Sequence, residues 1–211
     1  MPWIRLDCVR LSRGRAEAFS DGVFAIAATL LILEVRLPDN LHGDLLGALL
    51  RLWPSYAAYA ASFTTIGIMW LNHHSLLVRV KSVDRPLLLL NLFLLMTISF
   101  LPFPTSVLGQ NLRGGDQHIA AAFYAVTCLL IAVGFTSVYV YIGLHPNLIA
   151  TGFRADDMVM KGPWFSVGLI AYAACIPLAF FSPILVLVIV TGAAIFYAFE
   201  RLPGPRHAVT E

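Results

Sequence analysis

RAEAFSDGVFAIAATLLILEV, residues 15–35, sets an Arg, a Ser and an Asp against the start of an apolar run that holds nothing more polar than Thr29 until Glu34. A helix needs about 20 mostly apolar residues to cross the hydrocarbon of a bilayer, and this run has that length. The rest of the chain reads the same way. Of its 211 residues 59% are apolar and 12% charged, half the roughly 25% charge of an ordinary soluble domain. Its solvent is therefore lipid. A formal charge of +2 is too small to draw nucleic acid, so no nucleic-acid partner is expected.

Six stretches qualify as spans: about 16–35, 54–78, 86–108, 119–142, 163–181 and 183–199. The reading is an all-α, polytopic membrane protein, a single six-span unit over residues 1–211. Only Ser182 and Pro183 separate the last two spans, which suits a tight helical hairpin. The first span has the basic flank of a signal peptide, but EVRLPD follows Leu33 in place of a small-residue cleavage site, so it is read as retained. Cys8, Cys128 and Cys175 show no paired spacing, and the latter two read as small buried residues. Lys and Arg fall unevenly between the ends of the spans. Arg5, Arg10, Arg13, Arg15, Arg79, Lys81, Arg85, Arg154, Lys161, Arg201 and Arg206 lie on one side, and Arg36, Arg51 and Arg113 on the other. The positive-inside rule then places both termini in the cytosol, with the chain in a plasma or inner membrane. The long loops are 36–53 and 143–162, and the charges Arg154, Asp156, Asp157 and Lys161 read as a solvated cytosolic surface.

Within the first span, Gly22, Ile26, Leu30 and Leu33 recur at helical spacing and share a face, with Thr29 beside it and Phe19 on a neighbouring strip. Arg15 lies near the interface, where it is able to snorkel as a positive-inside anchor. Ser20 is placed to bond back to the carbonyl of residue 16. Asp21 sits more than a turn deep, where an isolated carboxylate is costly, and so requires a partner on another helix. The second span supplies candidates, because WLNHHSL, residues 70–76, ends on the side where the first span begins. Trp70, Asn72, His73 and His74 therefore share the depth of Asp21, and Asn91 in the third span lies near. These groups read as one polar cluster that docks helices. His73 and His74 are consecutive and point about 100° apart, which disfavours chelation of one ion; no metal and no cofactor are expected. A proton path through Asp21, His73 and His74 is an alternative use of the same groups. TTIGI, residues 64–68, superficially matches a potassium-channel carbonyl filter, but it lies inside a run long enough to stay helical and reads as packing.

At these residues the chain resembles a known family. RAEAFSD (15–21) fits an RxxxFSD pattern, and with IGIMWLNHHSL (66–76) and NLFLLMTISFLPFPT (91–105) it is similar to the prokaryotic branch of the transmembrane protein 175 family, that of the endolysosomal potassium channel. The resemblance covers the first half of the chain with specific motifs and the second half only as apolar spans. It implies a homotetramer of single-repeat subunits that conducts potassium through a pore lined by the first helix, with large aliphatic side chains at the constriction and no carbonyl filter. By position relative to the FSD motif, the pore residues would be Ile26, Leu30 and Leu33, with Thr29 near the filter. The motif residues would be Arg15, Phe19, Ser20 and Asp21, and their network partners Trp70, Asn72, His73 and His74.

The functional expectation is a potassium-selective channel, not an enzyme, in which a hydrophobic ring from the first helix acts as filter and gate by dewetting. The polar cluster would clamp that helix and would not be the ion path. Glu34 at the outer mouth reads either as one of a ring of charges selecting by sign, with Asp39 and Asp44 in the loop beyond, or as an interfacial residue paired with Arg36. A secondary transporter is the competing class, since Pro102, Pro104 and Pro177 interrupt spans.

Overall fold

The computed structural model describes residues 12–37, 43–153 and 155–199, with side chains placed for all of these but 155–166. Cys8, Arg5, Arg10, Asp39, Arg154, Arg201 and Arg206 lie outside the described residues, as do the side chains of Asp156, Asp157 and Lys161. Among the described residues eight α-helices follow in order: α1 (Arg13–Leu30), α2 (Leu45–Arg51), α3 (Trp53–Leu77), α4 (Arg85–Phe100), α5 (Pro102–Asn111), α6 (Gln117–Leu144), α7 (Ala155–Ala179) and α8 (Pro183–Phe199). Each of the six expected apolar stretches is helical. Among the described residues three helical segments are both long and apolar enough to cross a membrane: Arg13–Glu34, Arg85–Asn111 and Gln117–Leu144. α3 has the length, at 25 residues, but Ser55, Ser62, Thr64, Thr65 and the Asn-His-His group dilute its apolarity. The described apolar parts of the last pair are shorter, Val167–Ala179 and Pro183–Phe199.

The helix ends follow from side chains near them. Asp84 caps α4, its carboxylate accepting from the Leu87 N–H at 3.0 Å, and Pro86 sits in the first turn, where a missing N–H costs nothing. Leu101 separates α4 from α5 but stays in helical geometry at φ −56° and ψ −34°. The third span is therefore one rod interrupted at Pro102 and Pro104, as proline demands. Pro177, by contrast, falls within α7 and near its end. The α7–α8 hairpin turns over Phe180–Ser182, and the Leu185 N–H donates to Ser182 Oγ at 3.3 Å.

α3 is central, packing on α1, α5 and α8, while α6 packs on α4, α5, α7 and α8. The core between them is large: Leu94, Ile98, Leu101, Leu108, Tyr124 and Ile131 are all fully buried. Close approach depends on glycine at two crossings. A Cβ at Gly134 of α6 would lie 3.1 Å from Leu94 Cα of α4, and one at Gly109 of α5 would lie 2.9 Å from Ser55 Cα of α3.

The loop after α6 differs from its expected form. Its first part is tied to the α3–α4 loop by an antiparallel bridge between Val80 and Ile149. Lys81 N–H donates to Leu148 O at 2.8 Å and Ala150 N–H to Arg79 O at 2.7 Å. Leu148, Ile149 and Arg79 are buried, and the Arg79 guanidinium lies 5.0 Å over the Phe153 ring. α7 then begins at Ala155, eight residues before the expected start of the fifth span. The apolar run marked the greasy part of that helix and not its first turns, whose sequence carries Asp156, Asp157 and Lys161.

Candidate functional site: a polar clamp behind an apolar stripe

α1 and α3 run antiparallel and carry polar groups at four-residue spacing on their facing sides. Residues four apart stack on one helix face, so Asp21, Glu17 and Arg13 of α1 meet Trp70, His74 and the Val78 backbone rung by rung. Trp70 Nε1 donates to Asp21 Oδ1 at 2.8 Å. His74 Nδ1 lies 3.0 Å from Glu17 Oε1. The Arg13 guanidinium pairs with the other Glu17 oxygen at 3.4 Å and donates to Val78 O at 3.3 Å. Asp21 thus finds its partner on another helix, and the partner is the indole N–H.

A second row runs deeper, from α1 through α4 to α3. Ser20 Oγ donates to Ala16 O at 2.8 Å. Asn91 Nδ2 donates to Ser20 Oγ at 2.9 Å, and Asn91 Oδ1 is 2.8 Å from His73 Nε2. An amide oxygen only accepts, so the proton on this edge of the imidazole is at Nε2. Ser20, His73 and Asn91 are all buried, and the Phe24 ring covers His73 at 5.3 Å. Three helices are therefore bound to one another by buried hydrogen bonds, which fixes their rotation about their own axes. A third buried group ties α3, α5 and α6: Ser62 Oγ lies 2.8 Å from Thr105 Oγ1 and 2.9 Å from Tyr124 OH.

Several side chains fall elsewhere than expected. Asn72 is not in the cluster; one residue along the helix from His73, it faces α8 and reaches Tyr197 O at 3.5 Å. Arg15 and Phe19 of the motif make no hydrogen bond to α3 or α4 and face outward, Phe19 being 57% exposed. Glu34 and Arg36 do not pair, and Arg36 Nε donates instead to Leu33 O at 3.3 Å. Glu17, Arg13, Ser62, Thr105 and Tyr124 are members that sequence reading passed over. The first two carried a signal, since Arg13, Glu17 and Asp21 repeat every fourth residue opposite Trp70 and His74. The hydroxyl group carried none, because lone Ser, Thr and Tyr residues are ordinary in apolar helices.

The clamp has a geometric consequence. With Ala16, Ser20, Phe24, Ala27 and Leu31 turned into the chain, the opposite face of α1 is turned out of it. Ile26 is 60%, Leu30 42% and Leu33 61% exposed, and Gly22 and Thr29 are exposed with them. Thr29 Oγ1 donates to its own helix at Ile26 O, 2.9 Å away. After Leu30 the helix tightens to a 3-10 turn over Leu31–Glu34. Three residues complete a turn there, so Leu33 stays above Leu30 on the stripe. Among the described residues no group of three or more His, Cys, Asp or Glu side chains comes together to hold a metal.

The family model for the "endosomal/lysosomal potassium channel TMEM175" matches residues 15–102. A potassium channel of Streptomyces collinus is 41% identical over 194 residues, covering 91% of this chain and 94% of its own. The chain belongs to the TMEM175 family. The crystal structure of a lysosomal potassium-selective channel TMEM175 homolog from Chamaesiphon minutus superposes with a TM-score of 0.79 at 35% identity, covering 88% of this chain and 96% of that one. The human endosomal/lysosomal proton channel TMEM175 is 44% identical over 133 residues, 57% of this chain and 25% of the human one. TMEM175 proteins are ion channels, so this all-helical chain is a membrane protein of a channel family and not an enzyme. The span matched by the family model covers α1 from Arg15, α2, α3 and α4, and with them both rows of the clamp except Arg13; all of α5 after Pro102, and α6, α7 and α8, lie beyond it.

Proposed function

We propose that the chain is one subunit of a homotetrameric, potassium-selective cation channel whose pore is lined by the outward stripe of α1. That stripe carries the reading. A helix bound to its own subunit along one face by the clamp presents Gly22, Ile26, Thr29, Leu30 and Leu33 on the other, with Arg15 and Phe19 at one end and Glu34 at the other. Four copies about an axis would place the aliphatic side chains in successive rings. Such rings close by dewetting, and a slight rotation of α1 would open them to a partly dehydrated cation. Potassium gives up water more readily than sodium, so preference follows from constriction alone and is modest. Four Glu34 carboxylates at the outer mouth, joined by the carbonyl ends of the first helices, favour cations over anions. The clamp is positioning machinery. Asp21, His73 and His74 are bound to three different partners, Trp70, Asn91 and Glu17, which does not favour a proton path or coupled transporter running through them. The uneven distribution of Lys and Arg supports cytosolic termini in a plasma or inner membrane.

Reversal potentials of the purified full chain in planar bilayers under opposed potassium and sodium gradients test this. A reversal potential displaced toward that of potassium is expected. Tight reconstitution with no potassium current excludes conduction, and saturable flux coupled to a counter-ion points to a transporter instead.

A further inference from the structure

The three arginines of the sparsely basic face come from three separate places, yet they surround one cleft. Arg36 follows the 3-10 turn after α1, Arg51 ends α2 and Arg113 follows α5, and all three line a cleft of about 520 Å³ together with Ser55, Gly109 and Gln110. Glu34 is the one carboxylate among the described lining residues. Arg51 is paired with Asp44 at 3.2 Å on the exposed rim. Arg36 and Arg113 have no carboxylate partner among the described residues: Arg36 bonds a backbone carbonyl, and Arg113 lies 4.9 Å over the Trp53 ring. Three guanidinium groups line this concavity against Glu34 within it and Asp44 on its rim, so the described lining is net positive; it attracts an oxyanion, and the fork geometry of arginine matches phosphate.

The surroundings say which phosphate. Trp53 stands at the same end of the helices, and tryptophan concentrates at the level of lipid headgroups. The helix that carries Arg51 presents Leu46 and Leu50 outward, 70% and 67% exposed, where acyl chains would cover them. We propose that this cleft is a binding site for the headgroup phosphate of an anionic membrane lipid, seated on Arg36 and Arg113 with Arg51 at the rim and its chains along α2. The site needs the membrane setting only and does not depend on what the channel conducts.

The test is native mass spectrometry of the full chain in neutral detergent, titrated with phosphatidylglycerol, phosphatidylcholine or inorganic phosphate. Phosphatidylglycerol is expected to bind, and Arg36→Gln/Arg113→Gln to weaken it by about tenfold or more, with each single variant giving a smaller loss in the same direction. Phosphatidylcholine should respond to neither change, and Arg85→Gln, at the opposite end of the helices, should leave phosphatidylglycerol binding unaltered. Both cleft arginines are exposed, so the variants keep the fold. Equal phosphatidylglycerol affinity in the double variant overturns the site, as does an equal loss in Arg85→Gln. Inorganic phosphate binding as tightly as the lipid, through the same two arginines, overturns the lipid assignment in favour of a free anion.

Discussion

Asn91 shows how much one side chain carries. Its amide both donates to Ser20 and accepts from His73, so Asn91→Ala strands the imidazole N–H in an apolar interior, while Ser20 keeps its bond to Ala16 O. Leaving such a group unpaired costs about 1–3 kcal/mol, and the thermal midpoint of the purified chain should fall accordingly; an unchanged midpoint would remove the row from the fold's support. Asp21 sits in the other row and tests the clamp differently. Asp21→Ala should reduce the assembled fraction on size exclusion more than it alters the potassium-to-sodium ratio. A well-assembled channel with changed selectivity alone would contradict a positioning role. The need for a partner at Asp21 was legible because an isolated carboxylate more than a turn deep in a membrane span is expensive, and Trp70 was among the candidates. The assignment of each partner was not, because Asn72, His73 and His74 are consecutive and point in three directions around one helix.

At the scale of the element, α1 is a rod with a bound face and a free face, and the two give opposite expectations. On the free face, Ile26→Ala and Leu30→Ala should raise leak current and weaken potassium preference, read as current and reversal potential in bilayers; unchanged conduction in both would take the stripe out of the pore. Gly22 gives a cleaner comparison with Gly134. A Cβ at Gly22 meets nothing within 4 Å inside the chain, whereas one at Gly134 meets Leu94 Cα at 3.1 Å. Gly134→Ala should therefore destabilise by about 1–3 kcal/mol through overpacking, measured as a lower thermal midpoint. Gly22→Leu should leave the midpoint in place and, in the proposed tetramer, reduce conductance by narrowing the pore. Helix lengths were harder to read than helix identities. The polar first turns of α7 and the tightened end of α1 leave the apolar pattern intact while moving the boundary.

At the scale of the whole molecule, the chain presents an apolar exterior on many sides, with Leu89, Leu92, Met96, Phe103 and Phe181 among the exposed large side chains. The α1 stripe differs from these lipid-facing candidates in what flanks it: Arg15 at one end, Glu34 at the other and Thr29 between. Light scattering of the detergent-solubilised protein should give the mass of four chains of 23.1 kDa; a monomer or dimer that still conducts would require another pore. The bridge between Val80 and Ile149 adds a second coupling, since it joins the end of α3 to the segment leading into α7. The expected solvated loop hid it, because two isolated strand-like residues leave no periodic trace.

The sequence by itself determined the solvent, the helical class and the face of α1 that carries aliphatic side chains, because each is set by local composition and by a period of 3.6 residues. It also showed the need for a partner at Asp21 on another helix, through the cost of a charge in lipid. Only the tertiary structure decided which polar groups meet, which way α1 is rotated and which three arginines share a cleft. Those outcomes depend on how helices distant in sequence are registered against one another, and registration is fixed by mutual packing and hydrogen bonding that no single segment contains.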